Sequence, residues 1–201
     1  QSTVNMSSSD AQGLLRGPVD VVVKVKVLRG QETKTIEITR GVIRIPAVRT
    51  AMLPEGVGYV QIASFQQDTT DKLREALVEF QKQGPLRGVI FDLRGNSGGN
   101  EVYAQAIAGS FVTAPVPYVM SEVRDAAQPS GFLPRVTRSL QPVAERHYAG
   151  RVVVLVGPLD MSSAESFALM MRAAGAKLFG ARTRGASANP KLVDLGDGIS
   201  V

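Results

Sequence analysis

The sequence predicts an α/β fold with a mainly parallel sheet, preceded by a smaller α+β segment. Three observations carry the prediction. From residue 56 onward, strand-like apolar runs and amphipathic helical stretches alternate in βαβ order, which implies parallel strands joined by right-handed crossovers. The runs Leu86 to Leu93 and Val152 to Val156 are short, apolar and bounded by turn residues, the pattern of strands buried within a sheet. Ahead of them, Val19 to Leu28 and Thr33 to Thr39 read as two strands joined through Arg29-Gly30, with no helix between.

Taken in order, Ser7-Ser8-Ser9-Asp10 offers caps to a short helix over Ala11 to Arg16, which Gly17-Pro18 ends. This helix and the two strands fill residues 1–45, too little for an independent core, so the chain is expected to begin inside a domain. Residues 46–55, bracketed by prolines, read as a linker, and 56–201 as the main core. In that core Val57 to Phe65 is a strand, and Asp68-Thr69 caps a helix with Leu73, Leu77 and Phe80 on one face before Gly84-Pro85. The Leu86 to Leu93 strand comes next. A turn at Asn96 to Asn100 then leads into a helix from about Glu101 to Phe111. Val116 to Val123 is a further strand, Arg124 to Tyr148 a polar loop, and residues 152–186 a strand, a serine-rich turn, a helix and a last strand.

Composition narrows the function. A chain of 201 residues with 44% hydrophobic content can bury a sizeable core, and no apolar run approaches the length of a membrane span. No signal peptide is recognisable at residues 1 to 30. The absence of cysteine removes disulfides and thiol nucleophiles, and a single histidine argues against a zinc site, so neither metal nor cofactor is expected. The net charge of +5 is scattered over the chain with few aromatics between the basic residues, unlike a nucleic-acid footprint.

In an open parallel sheet the ligand lies beyond the carboxyl ends of the strands. Two turns belong there: Asp92-Leu93-Arg94-Gly95-Asn96-Ser97-Gly98-Gly99-Asn100 and Gly157-Pro158-Leu159-Asp160-Met161-Ser162-Ser163-Ala164-Glu165. A hydroxyl at the mouth of the second turn's helix could attack a carbonyl held between them, with a serine N–H and a glycine N–H as oxyanion donors. The competing reading is a capping box, in which Ser162 caps the helix and Glu165 reaches back to the cap N–H. The Gly98-Gly99 pair also permits a phosphate cradle, but the Walker pattern is absent. A nucleophilic serine needs a base, and His147 is the only histidine.

The segments GYVQIASFQQDTTDKLREALVEFQKQGPLRGVIFDLRGNSGGN and VVVLVGPLDMSSAESFALMMRAAGAKLFGARTRG strongly resemble the C-terminal-processing (tail-specific) serine peptidases, whose core is ClpP/crotonase-like. NMSSSDAQGLLRGPVDVVVKVKVLRGQETKTIEITRGVI resembles the second half of that family's PDZ domain: its peptide-groove helix, then its last strands. The resemblance implies Ser162 as nucleophile, with Ser163 as second choice, and an oxyanion hole from the Ser163 N–H and that of Gly98 or Gly99. It also implies a lysine after a glycine some two dozen residues beyond the serine, where this chain has Ala186. Lys191 and His147 are the remaining candidates for the base. In a second branch of the family a histidine and a glutamate serve instead, from segments expected beyond the two ends of this chain.

The implied function is a serine endopeptidase acting on unfolded or C-terminally presented polypeptide, in the cell envelope, periplasm or outside the cell. A peptide-binding pseudopeptidase without a base is the main alternative, and crotonase-like acyl-CoA chemistry a weaker third. The expected partner is a polypeptide substrate; a homo-oligomer is left open.

Overall fold

The computed structural model describes residues 3, 5–42, 46–143, 148–187, 194–196 and 199–200. The chain falls into two compact units, Gln1–Ile45 and Pro46–Val201. In the first, helix α1 (Ser8–Leu15) begins three residues earlier than its spacing predicts, because Ser7 is the cap and its Oγ accepts the Asp10 N–H at 3.1 Å. Strands β1 (Val22–Arg29) and β2 (Glu32–Thr39) form an antiparallel hairpin whose turn includes Gly30 at φ 66°, and Val23, Val25 and Val27 share its half-buried side.

The second unit contains strands β3 (Val48–Leu53), β4 (Val57–Ile62) and β5 (Gly88–Asp92), with helix α2 (Thr69–Lys82) between the last two. Helix α3 (Glu101–Ala108), extended by a 3-10 turn to Phe111, leads to β6 (Val116–Ser121) and β7 (Val136–Leu140). Strand β8 (Arg151–Val156), helix α4 (Ser163–Ala173) and strand β9 (Lys177–Gly180) come after these, then the short pair β10 (Asp194–Gly196) and β11 (Ile199–Ser200). The main sheet has the order β3-β4-β5-β8-β9, parallel throughout except for the antiparallel β3–β4 edge.

Two expectations need correction. Residues 46–55 are not simply a linker: Val48 to Leu53 pair with β4 as an edge strand. The prolines that suggested a linker stand outside the strand, at a place where no ladder hydrogen bond is lost. The polar stretch Arg124 to Tyr148 likewise contains β7, which pairs with β6 in a two-stranded ribbon and buries only Leu140.

Helix α2 lies against β3 and β4, α4 lies against β8 and β9, and α3 packs between the two helices. The core beneath α4 is aromatic. Phe167 of α4 meets Phe91 of β5 edge-on at 5.6 Å between ring centroids and Phe65 at 5.2 Å, and Phe91 meets Phe111 at 5.5 Å. Phe65, Phe91 and Phe167 are at most 1% exposed. Burying such side chains contributes about 1.5–3 kcal/mol each. This cluster fixes the height and rotation of α4, and therefore where its first residues emerge above the sheet.

Candidate active site

The two glycine- and serine-rich turns meet where β5 and β8, adjacent and parallel, end side by side. Ser162 precedes the first turn of α4 at φ 57°, ψ −128°, a conformation that favours glycine. It occupies the first central position of a turn closed by the Ala164 N–H to the Met161 carbonyl at 3.2 Å, and its own dihedrals match that position of a type II′ turn. Such backbone costs on the order of 1–3 kcal/mol for a non-glycine residue and persists only when its surroundings enforce it. Here the Ser162 N–H donates to the Ala186 carbonyl at 3.0 Å, and the Glu165 N–H donates to the Ser162 carbonyl at 2.9 Å.

The capping box does not form. Ser162 makes no side-chain cap, and the Glu165 carboxylate points across to the chain beyond β9. Its Oε1 accepts Thr183 Oγ1 at 2.7 Å and the Gly185 N–H at 2.6 Å; its Oε2 accepts the Ala186 N–H at 2.9 Å and Ser187 Oγ at 2.6 Å. Burial pushes this carboxyl up, but the four donors outweigh it and hold it below the ordinary glutamate range. Glu165 thus pins residues 183–187, including Ala186, against the serine turn.

The two serines differ in environment. Ser163 is buried and its Oγ donates to the Gly99 carbonyl at 2.6 Å, which ties the serine turn to the glycine turn. Ser162 is half-exposed, and its Oγ has no hydrogen-bond partner among the described residues. The glycines differ too. The Gly98 N–H is held by Asn96 Oδ1 at 2.7 Å, so of the two expected glycine donors only the Gly99 N–H lacks an acceptor among the described residues. The Ser163 N–H also lacks one. Gly98 is needed for close approach: a Cβ there would lie 2.8 Å from Ser162 Cβ and 3.1 Å from Ser163 N. At Gly99, with φ 135°, a Cβ would collide with the Phe65 carbonyl.

Three polar residues brace these turns, and nothing in their local sequence announced it. Asn96, fully buried, donates from Nδ2 to the Ile62 carbonyl at 2.9 Å, and its own carbonyl accepts the Met161 N–H at 3.2 Å. Asp160, also fully buried, joins Gly95 and Gly157 through its two carboxylate oxygens. Asp92 accepts both Nε and Nη2 of Arg94, at 2.9 and 2.7 Å, and the Tyr59 hydroxyl at 2.6 Å. Burial raises the Asp92 carboxyl, but the Arg94 and Tyr59 donors reverse the shift and leave it below the ordinary aspartate value. Lys191 and His147 lie outside the described residues. No cluster of His, Cys, Asp or Glu able to hold a metal occurs among the described residues.

A half-exposed serine in strained backbone at a helix mouth, beside N–H groups that lack acceptors among the described residues and above the carboxyl ends of parallel strands, is an arrangement suited to acyl transfer. The chain belongs to Peptidase family S41, whose model matches residues 56–201. It is 27% identical over 203 residues to the carboxy-terminal processing protease CtpA of Bacillus subtilis, covering 100% of this chain and 41% of that protein. To the chloroplastic C-terminal processing peptidase of Tetradesmus obliquus it is 29% identical over 216 residues, covering 98% of this chain and 44% of the relative. The chain therefore spans less than half the length of these relatives.

Among solved structures, the photosystem II D1 C-terminal processing protease superposes with a TM-score of 0.60 at 27% identity, over 96% of this chain and 52% of that one. Mature CPAF complexed with lactacystin shares the fold at a TM-score of 0.59 and 12% identity, over 90% of this chain and 57% of that one. No helix among the described residues is long and apolar enough to cross a membrane.

Proposed function

We propose that this chain is the core of a serine endopeptidase that cleaves unfolded or C-terminally presented polypeptides, with Ser162 as its nucleophile. The observation that carries the reading is the contrast at the serine turn: Ser162 Oγ is half-exposed without a partner among the described residues, while Ser163 Oγ is buried and bonded to Gly99. Attack of Ser162 Oγ on a peptide carbonyl forms the C–O bond and sends the hydroxyl proton to a base. The carbonyl oxygen becomes an oxyanion facing the Ser163 and Gly99 N–H groups. Collapse expels the amine, which takes up the proton, and water then hydrolyses the acyl-enzyme by the same route.

The base is an imidazole or an amine that lies outside the described residues, from His147, Lys191 or a further segment of the longer protein. Residues 1–45 serve as the second half of a PDZ domain, a reading supported by the helix followed by an antiparallel hairpin. Such a domain binds an extended peptide as an added strand. The relatives' names as C-terminal processing proteases support a chain end as the substrate, and a place in the cell envelope, the periplasm or outside the cell is carried over from the family resemblance of the sequence.

One observation favours the second reading, a peptide-binding pseudopeptidase. Position 186, where the resemblance expects a lysine, holds an alanine, and its backbone carbonyl accepts the Ser162 N–H at 3.0 Å, so this segment lies beside the serine turn without bringing an amine. A fluorophosphonate probe separates the two. Labelling of the native chain that disappears in Ser162→Ala is the expected result; labelling that survives the substitution rules out Ser162. No labelling of the full-length protein favours the pseudopeptidase.

A further inference from the structure

We propose that Asp160 is a positioning residue for the reaction: its carboxylate staples the glycine turn to the serine turn and so sets the spacing between Ser162 and the N–H groups that receive the oxyanion. The inference rests on the reading of Ser162 as nucleophile. Asp160 Oδ1 accepts the Gly95 N–H at 2.8 Å and Oδ2 accepts the Gly157 N–H at 2.8 Å, from opposite sides of the gap between the turns. Its backbone carbonyl accepts the Arg184 N–H at 2.9 Å, which brings in the segment that carries Ala186. One residue therefore touches all three pieces of chain that surround Ser162.

The side chain is fully buried, and each of these carboxylate contacts comes from backbone rather than from a cation. Burying an acid without a cation is expensive, and burial raises the Asp160 carboxyl above its ordinary value even though the backbone donors oppose the shift. A site that needed only filling would be served better by an apolar residue. What a carboxylate provides is two diverging acceptors on one short stem, matched to two donors on separate loops. Asparagine has the same shape but one acceptor, and its NH2 would face an N–H. Displacement of reacting groups by about 1 Å costs on the order of 100-fold in rate, so a slackened staple should register in catalysis before it registers in folding.

The experiment compares the native chain with Asp160→Asn, Asp160→Ala and Phe80→Leu, the last a core change in α2 away from both turns. Three quantities are read: the fluorophosphonate inactivation rate at saturation, the probe's half-saturating concentration, and the midpoint of urea unfolding. The amide protons of Gly95 and Gly157 are followed in parallel by NMR. Expected are a saturating rate reduced about 100-fold in Asp160→Asn with little change in half-saturation, an upfield move of both amides, and an undiminished rate in Phe80→Leu. If Asp160→Asn labels at the native rate, or if Phe80→Leu loses as much rate at a similar midpoint, the positioning role is overturned. Should the aspartate variants fail to fold, unshifted Gly95 and Gly157 amides in the native chain, relative to glycines bonded to neutral acceptors, overturn the staple. A full-length protein that does not label at all overturns the nucleophile assignment, and this inference with it, even when the amides report the staple intact.

Discussion

Replacing Glu165 with glutamine removes one negative charge and one acceptor while keeping the side chain's volume, and the bonding around the carboxylate determines the loss. Each carboxylate oxygen serves one backbone N–H and one hydroxyl: Gly185 and Thr183 on Oε1, Ala186 and Ser187 on Oε2. Glutamine can satisfy one such pair, and its NH2 then faces the other. The stranded hydroxyl can rotate toward solvent, but the stranded N–H cannot. Losing a charge-assisted bond and leaving one donor unpaired costs about 1.5–3 kcal/mol. Glu165→Ala strands both N–H groups and should cost roughly 2–4 kcal/mol. Urea unfolding followed by far-ultraviolet circular dichroism measures the loss as a shift in midpoint at constant slope.

The pH dependence has a definite sign. The native carboxyl lies below the ordinary glutamate value, so its stabilisation is complete above the unfolded-state value of about 4.3 and is lost as pH falls through the lower native-state value. The gap between native and Glu165→Gln should therefore be full at pH 7 and narrow in acid. A glutamine variant within about 0.5 kcal/mol of native at pH 7, a change typical of surface sites, would refute the reasoning.

Three further outcomes are expected. Ser162→Gly relieves the φ 57° strain and should raise stability by about 0.5–1 kcal/mol, net of glycine's entropy cost, while abolishing fluorophosphonate labelling; a loss of stability on urea unfolding counts against the strain. Ala186→Lys supplies the lysine that the resemblance expects, on a segment bonded to the serine turn, and should accelerate labelling by on the order of 100-fold or more, a gain that disappears in the double variant with Ser162→Ala; an unchanged rate means that the side chain at 186 does not face the serine. Phe167→Ala empties the junction of Phe65 and Phe91 and should cost about 3–5 kcal/mol by urea unfolding; a loss under about 1 kcal/mol would mean that the aromatic cluster does not hold α4 in place.

The legible parts of this chain are those with local signals. Continuous apolar runs mark β5 and β8, the Leu73 and Phe80 face marks α2, and the step from strand to Ser162-Ser163 to helix marks the seat of the candidate nucleophile. Strand β3 escapes because only Val48 of its six residues is buried, and β7 because Thr137, Arg138 and Ser139 interrupt any apolar pattern. Glu165 misleads for a sharper reason. A capping box and a cross-loop brace share the same three-residue spacing from the serine, and only the position of residues 183–187 in space decides between them. Asp160 and Asn96 are invisible for the same cause: their partners Gly95, Ile62 and Met161 come together only once β4, β5 and β8 have aligned.

Position 186 is held at both ends of its peptide environment and nowhere through its side chain: its N–H goes to Glu165 and its carbonyl receives the Ser162 N–H. The Ala186 side chain is exposed, so a larger residue that keeps its N–H can be presented there with both backbone bonds intact. If position 186 is the seat of the base, as the resemblance implies, one substitution there adds or removes a reactive group while these backbone bonds stay in place. Loss and recovery of chemistry on this framework are in that sense neighbours in sequence space, and stability offers no record of which has happened.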